Sequence, residues 1–113
     1  MEIEVISDQV FKFENLTVYQ KSLEFIDTIY SITVKFPKEE QFSIALNIAD
    51  GSGGTNAEFK NFLRISKRST RECIVCLTIA LRQNYITTED ELEIRMKAVE
   101  ISKMLNGLIK SIK

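Results

Sequence analysis

The sequence predicts an all-α protein, an antiparallel up-down-up-down four-helix bundle with a shortened second helix. Apolar residues recur at intervals of three and four through most of the 113 residues, which is the spacing of amphipathic helices. One proline and four glycines leave few turns for a β fold. Because the links between the periodic segments are short, the segments should bury their apolar faces against one another. We expect a bundle over residues 14–113 and a lead-in, extended or disordered, over residues 1–13.

The first helix is predicted to run from an N-cap at Asn15 to about Lys35. Two adjacent apolar stripes follow it and together are wide enough to contact two neighbouring helices. One stripe holds Leu16, Tyr19, Leu23, Ile26, Tyr30 and Thr33, and the other holds Val18, Ser22, Phe25, Ile29, Ile32 and Phe36.

The second helix is predicted to be short, from Lys38 to Ala49, after Phe36-Pro37 ends the first. Phe42, Ala45, Leu46 and Ala49 share one of its faces, and Ile44 and Ile48 flank that face. The glycine-rich residues 50–54 that follow are predicted to form a flexible loop.

The third helix is the longest, predicted over Thr55 to Asn84, and Thr55 and Glu58 have the spacing of a capping box. Its buried face should hold Phe59, Phe62, Ser66, Ser69, Cys73, Leu77 and Ala80. The small residues in the middle of that face favour the close approach of a neighbouring helix.

Beyond Cys73 the third helix is apolar on every side, and a helix of this kind is normally buried on every side. A bundle of four helices leaves the outer side of each helix uncovered. We therefore predict that a partner subunit covers this segment, with an interface at Ile74, Val75, Thr78 and Ile79.

The front half of the third helix carries a row of cations on the side opposite its buried face, within an arc of roughly 100°. The row consists of Lys60, Arg64, Lys67, Arg68 and Arg71, and no acidic residue interrupts it. It is either a solvated helix face or a surface that contacts the phosphates of nucleic acid. Aromatic side chains are not interleaved with the row, so recognition of single strands by base stacking is unsupported.

The fourth helix is predicted to begin with a capping box at Thr88 and Glu91. Its buried face should hold Ile94, Ala98, Ile101, Leu105, Leu108 and Ile112, and Leu92, Met96 and Val99 form a second stripe on the far side. Gly107 inside this helix costs up to about 1 kcal/mol relative to alanine. We expect close backbone packing to offset that cost.

The composition excludes several chemistries and predicts no enzyme, no cofactor and no metal site. There is no histidine, which rules out Ser-His-Asp catalysis and Cys₂His₂ zinc sites. Cys73 and Cys76 lie in mid-helix among apolar residues and are interpreted as core thiols. The glycines at residues 51–54 follow no strand and precede no Gly-Lys-Ser/Thr, which argues against a phosphate loop.

The charge and hydropathy of the chain bound its partners and its location. The net charge of −1 argues against a protein whose whole surface binds nucleic acid. No apolar run is long enough to span a membrane, and the N-terminus lacks the pattern of a signal peptide. Two cysteines are too few for a secreted disulfide scaffold, so a cytoplasmic location is expected.

Four motifs, in order along the chain, carry a resemblance to one protein family. They are Phe13-Glu14-Asn15-Leu16-Thr17-Val18-Tyr19-Gln20, Asn47-Ile48-Ala49-Asp50-Gly51, Glu58-Phe59-x-x-Phe62-Leu63-x-Ile65 and Met104-Leu105-Asn106-Gly107-Leu108-Ile109-Lys110-Ser111. Together they resemble the four-helix-bundle proteins encoded in the intervening sequences of 23S ribosomal RNA.

The resemblance implies a homopentameric ring and a relation to the accessory proteins of diversity-generating retroelements. The basic pentameric barrels of those relatives bind a reverse transcriptase and nucleic acid. This chain departs from the family pattern in having about a dozen fewer residues between Pro37 and Asn47, and in its slightly negative net charge. Both departures weaken the inference of nucleic-acid binding that the retroelement relatives suggest.

Taken together, the sequence predicts a cytoplasmic, non-enzymatic oligomer that binds RNA, or a nucleic-acid-associated protein such as a reverse transcriptase, through the row from Lys60 to Arg71. The alternative is an assembly or scaffold protein that has no nucleic-acid role.

Overall fold

The computed structural model describes residues 11–32 and 38–113, and the helices over these residues form the predicted bundle. A short 3₁₀ helix over Lys12–Asn15 precedes α1 (Thr17–Ile32), α2 (Lys38–Ser52), α3 (Asn56–Arg82) and α4 (Thr88–Ser111). Each α-helix packs against its neighbours in sequence, and α4 also packs against α1 and closes the bundle. Most of the predicted lead-in and the predicted end of the first helix lie outside the described residues.

The core is an apolar column to which all four α-helices contribute. Its largest side chains are almost wholly buried: Phe25, Ile29, Ile44, Ile48, Leu63, Leu77, Ile94, Ile101 and Leu105. The predicted buried faces of α3 and α4 are confirmed at their central positions. The buried face of α3 also includes Leu63, which the prediction omitted. The predicted four-helix bundle is therefore confirmed.

The start of α1 differs from the prediction. Asn15 is not its N-cap but ends the 3₁₀ helix, and α1 begins two residues later at Thr17. The carbonyl of Leu16 accepts the first backbone bonds of α1, from the amides of Tyr19 and Gln20 at 3.0 and 3.1 Å. This shift occurs because the 3₁₀ turn already uses the backbone groups around Asn15.

The two stripes of α1 are not equally buried. Val18, Ser22, Phe25 and Ile29 of one stripe are buried, whereas Leu23 of the other is 41% exposed. The stripe that begins at Val18 belongs to the core, and Leu16 and Tyr19 of the other stripe are half-buried against that core.

The predicted flexible loop over residues 50–54 is wrong at its first three positions, because α2 continues to Ser52. Gly51 is buried, and a Cβ atom there would lie 2.6 Å from the Cβ of Phe62 on α3. Glycine at this position permits the end of α2 and the start of α3 to cross closely, and the chain turns only at Gly53 and Gly54.

The small residues on the buried face of α3 bring α2 close, as predicted. The hydroxyl of Ser66 donates to the carbonyl of Ile44 at 3.0 Å, and the hydroxyl of Ser69 donates to that of Ser43 at 2.8 Å. Bulkier side chains at these positions would hold the two helix backbones further apart.

The helix caps agree with the prediction at α3 but not at α4. Thr55 and Glu58 form the predicted capping box. At α4 the N-cap is Thr87, whose hydroxyl accepts the amide of Asp90 at 3.1 Å, and Thr88 is the first helical residue. Glu91 is instead buried and forms an ion pair with Arg95 one turn further along α4.

Gly107 does not pack closely against backbone, contrary to the prediction. It is exposed, and a Cβ atom there would meet nothing within 4 Å outside its immediate surroundings in the helix. Nothing in the described residues explains the glycine.

Candidate nucleic-acid interface

The candidate site lies on the outer face of the hairpin formed by α3 and α4. Arg95 donates from Nη2 to Oγ1 of Thr78 at 3.4 Å, which fixes the alignment of the two antiparallel helices. Lys67 lies eleven residues before Thr78 on α3, and Asn106 lies eleven residues after Arg95 on α4. Because the helices are antiparallel, the same alignment places Lys67 beside Asn106. The C-terminal part of α4 therefore runs alongside the cationic half of α3.

A cleft of about 330 Å³ opens between these two segments. Four of the five predicted cations line it from α3, and the end of α4 supplies its other wall. The lining residues are Arg64, Lys67, Arg68, Arg71, Asn106, Ile109 and Lys110, and we call this site the basic cleft.

Lys60, the fifth predicted cation, does not line the basic cleft. It is half-buried one turn before Arg64 on the same helix face. Arg64 donates from Nη1 to Oδ1 of Asn61 at 3.1 Å, which holds its guanidinium near the N-terminal end of the cleft.

No ion pair joins a carboxylate to the basic cleft among residues 11–29 and 42–113, the part of the chain whose side chains the structure describes. The ion pairs found there join Lys21 to Glu24 and Glu100, and Arg95 to Glu91, all outside the cleft. Two like charges about 6 Å apart repel by about 0.7 kcal/mol even at the dielectric constant of water. Five cations around one cleft therefore oppose folding slightly, and an anion bound among them would relieve that repulsion.

Asn106, Ile109 and Lys110 are functional candidates that sequence reasoning missed. They occur in the closing motif that carried the family resemblance, but nothing in their spacing assigned them a role. The pairing of α4 with α3 makes them part of the site. A signal was available in the antiparallel order of the two helices, which places the end of α4 beside the start of α3.

The predicted interface residues continue the same outer face toward the other end of the hairpin. Val75 and Ile79 are 59% and 52% exposed, whereas Ile74 is half-buried and packs against the core. Thr78 is exposed and donates its hydroxyl to the carbonyl of Ile74 at 3.0 Å. Three of the four predicted residues thus face outward, and the fourth belongs partly to the core.

The second stripe of α4 lies on the same outer face. Leu92, Met96 and Val99 are 55%, 64% and 43% exposed, and Arg95 beside them reaches Thr78 on α3. We call Val75, Ile79, Leu92, Met96 and Val99 the apolar patch. The outer face of the hairpin therefore has a cationic half at the basic cleft and an apolar half at this patch.

The two cysteines lie on the inner side of α3. Cys73 is buried and Cys76 is half-buried against the core, as expected for core thiols. Of the helices described, none carries the uninterrupted apolar length that crossing a bilayer requires.

The fold and the face together define a class: a four-helix bundle whose long third and fourth helices present a cationic half and an apolar half outward. The model of the 23S rRNA-intervening sequence protein family matches residues 14–107. The chain belongs to the 23S rRNA-intervening sequence protein family, as the four motifs indicated.

A solved structure shares the fold. It is the 1.70 Å crystal structure of a protein of unknown function from the S23 ribosomal protein family of Bacteroides thetaiotaomicron VPI-5482. The two proteins are 28% identical, with a TM-score of 0.75 over 84% of this chain and 100% of the other. No curated protein matches the chain. Neither match points to an enzyme family.

Proposed function

We propose that this protein is a non-enzymatic, cytoplasmic homo-oligomer that binds RNA, or a nucleic-acid-associated protein such as a reverse transcriptase, through the face from Lys60 to Arg71. The observation that carries the proposal is the basic cleft, where four of these cations meet and form no ion pair with a carboxylate of residues 11–29 or 42–113. Cations at helical spacing contact successive phosphates without reading bases. RNA is the ligand we favour.

The apolar patch supports the oligomeric part of the proposal. Large apolar side chains at Val75, Ile79 and Met96 are each more than half exposed in a single chain. Several exposed apolar side chains on one face favour an interaction site in a soluble protein. A second copy of the chain is the simplest cover, and the family resemblance implies a pentamer.

A charge-reversal variant tests the RNA part. Arg64→Glu combined with Arg68→Glu should lower the affinity for RNA at low salt by about tenfold or more, because two attractions are replaced by two repulsions. RNA carried over on purification and retention of labelled RNA on the immobilised protein are the measurements. The affinity of the unaltered protein should also fall steeply as ionic strength rises.

The control changes the net charge equally at a distance from the cleft. Lys12→Glu with Arg82→Glu reverses two exposed cations that do not line the cleft, since Arg82 lies eleven residues beyond Arg71 at the far end of α3, and should leave retention nearly unchanged. If the Arg64 and Arg68 variant retains RNA as well as the unaltered protein does, RNA binding by this face is refuted.

The second candidate function is an assembly or scaffold protein with no nucleic-acid role. The net charge of −1 favours it, since a nearly neutral chain gives no general attraction to nucleic acid. On this alternative the apolar patch is the functional surface and the basic cleft is a solvated helix face. An oligomer that carries no RNA and binds none at low salt would identify it.

A further inference from the structure

Two helices form the walls of the basic cleft. The residues that α4 contributes narrow the chemistry of the ligand further than the cations of α3 alone do. Lys110 adds a fifth positive charge from α4, and Asn106 adds an amide, a neutral donor and acceptor, on the same wall. Ile109 lies between them and contributes apolar surface that also packs against the core. The α4 wall is therefore anchored to the core and does not depend on a loop.

The cations extend along the cleft over more than the width of one phosphate. Arg64 and Arg71 are seven residues apart on α3, which corresponds to about 10 Å along the helix axis. Lys110 faces this row from the opposite side. An anion with several linked phosphates fits such a row better than a single phosphate does.

We infer that the basic cleft is a two-helix site for a phosphodiester backbone, in which Lys110 and Asn106 of α4 bind the same ligand as Arg64, Lys67, Arg68 and Arg71 of α3. The inference rests on the proposed RNA-binding function and adds the α4 residues and the ligand chemistry to it. The aromatic platform that base stacking requires is missing from the lining residues. Binding is therefore insensitive to base identity.

The test measures the affinity of a short labelled oligouridylate over a range of salt concentrations. With five phosphate contacts, the plot of log affinity against log salt has a slope of about −3.5 for a single strand. Lys110→Ala should lower affinity about two- to fivefold and make the slope shallower by about 0.7, since one contact is lost. Lys110→Arg should restore both values because the charge is kept.

Lys97→Ala is the matched control on the same helix. Lys97 lies one turn before Glu100, whose ion pair with Lys21 shows that this side of α4 faces α1 and not the cleft. Removing its charge should change neither affinity nor slope. Circular dichroism of each variant establishes that the helices remain folded.

Two further measurements address the ligand. Asn106→Asp should weaken binding, because it places a carboxylate in the cleft. Oligoadenylate should bind as well as oligouridylate, and ATP should bind far more weakly than either. Tighter binding of ATP than of the oligonucleotides would identify a nucleotide site and overturn the inference.

The outcomes separate this inference from the proposed function. Suppose that Lys110→Ala binds RNA with the affinity and salt slope of the unaltered protein while the Arg64 and Arg68 variant loses RNA. The face then binds RNA without α4, and the inference is wrong. If neither variant loses RNA, both the inference and the proposed binding of RNA by this face are wrong.

Discussion

Two glycines lie inside helices of this protein, and their surroundings are opposite. Gly51 is buried where α2 crosses α3, with no room for a side chain beside Phe62. Gly107 is exposed on α4 with open space beside its Cα. From the sequence alone, Gly51 was predicted in a loop and Gly107 in a close helix contact. Both predictions were wrong because the identity of a residue does not show which residues surround it in the fold.

These surroundings predict opposite effects for the same substitution. Gly107→Ala should raise the free energy of unfolding by up to about 1 kcal/mol, because alanine has the higher helix propensity and meets no neighbour. Gly51→Ala should lower it by about 1 kcal/mol or more, since the new methyl overlaps Phe62 and forces the helices apart. Urea denaturation of the two variants beside the unaltered protein measures both. Equal effects of the same sign would contradict this account.

At the scale of single helices, the sequence predicted the N-cap of α3 correctly but not that of α4. Thr55 and Glu58 stand alone as a capping pair before α3, and the prediction there was correct. Before α4, Thr87 with Asp90 and Thr88 with Glu91 both fit the capping spacing, one residue apart. The structure selects Thr87, because Glu91 turns inward and pairs with Arg95.

The capping box of α3 predicts a dependence of stability on pH. The backbone amide of Thr55, and then its hydroxyl, lower the pKa of Glu58 from its ordinary value of 4.5. A carboxylate whose pKa is lowered by folding stabilises the protein above its unfolded pKa, and loses that contribution as pH falls through the folded value. Glu58→Gln should therefore reduce stability at neutral pH and flatten the loss of stability in acid.

Thermal unfolding of Glu58→Gln between pH 7 and pH 3 is the measurement. Glu72→Gln removes the same charge from an exposed position in the middle of α3, away from the cap. It should follow the unaltered protein across the range. A Glu58 variant with an unchanged acid profile would show that its charge contributes nothing to the cap.

The candidate site could likewise be predicted only in part, because periodicity gives the faces of each helix but not how two helices pair. The cationic row on α3 could be predicted, because five residues on one helix face follow from the angular spacing of a helix. The antiparallel order places the end of α4 near this row, but Asn106 and Lys110 could not be singled out from it, because the register between two helices depends on how their side chains pack. The structure brings the two residues to the row by placing both helices around one cleft.

At the scale of the whole molecule, the fold class and the four helices could be predicted because apolar periodicity determines both. The same periodicity predicted an outward apolar surface on α3, and the apolar patch widens it with the second stripe of α4. A single chain exposes this patch to water, so we propose that assembly covers it.

Charges placed in the apolar patch should disrupt that assembly. Val75→Glu with Ile79→Lys should reduce the particle mass by light scattering while helicity persists, since both side chains are exposed in the single chain. Leu46→Glu with Leu23→Lys is the control, because it introduces the same charges at exposed apolar positions of α2 and α1. An unchanged mass for the Val75 and Ile79 variant, or a monomeric unaltered protein, would refute the oligomer.

Because the outer face of the hairpin has a cationic half and an apolar half, the proposed RNA binding and the proposed assembly should respond to salt in opposite ways. A strongly hydrated salt such as ammonium sulfate screens cations from phosphate, yet it favours the association of apolar surfaces. On these proposals, raising the sulfate concentration should release nucleic acid from the particles and stabilise the particles themselves. The two proposed activities could then be separated in a single preparation without altering the chain.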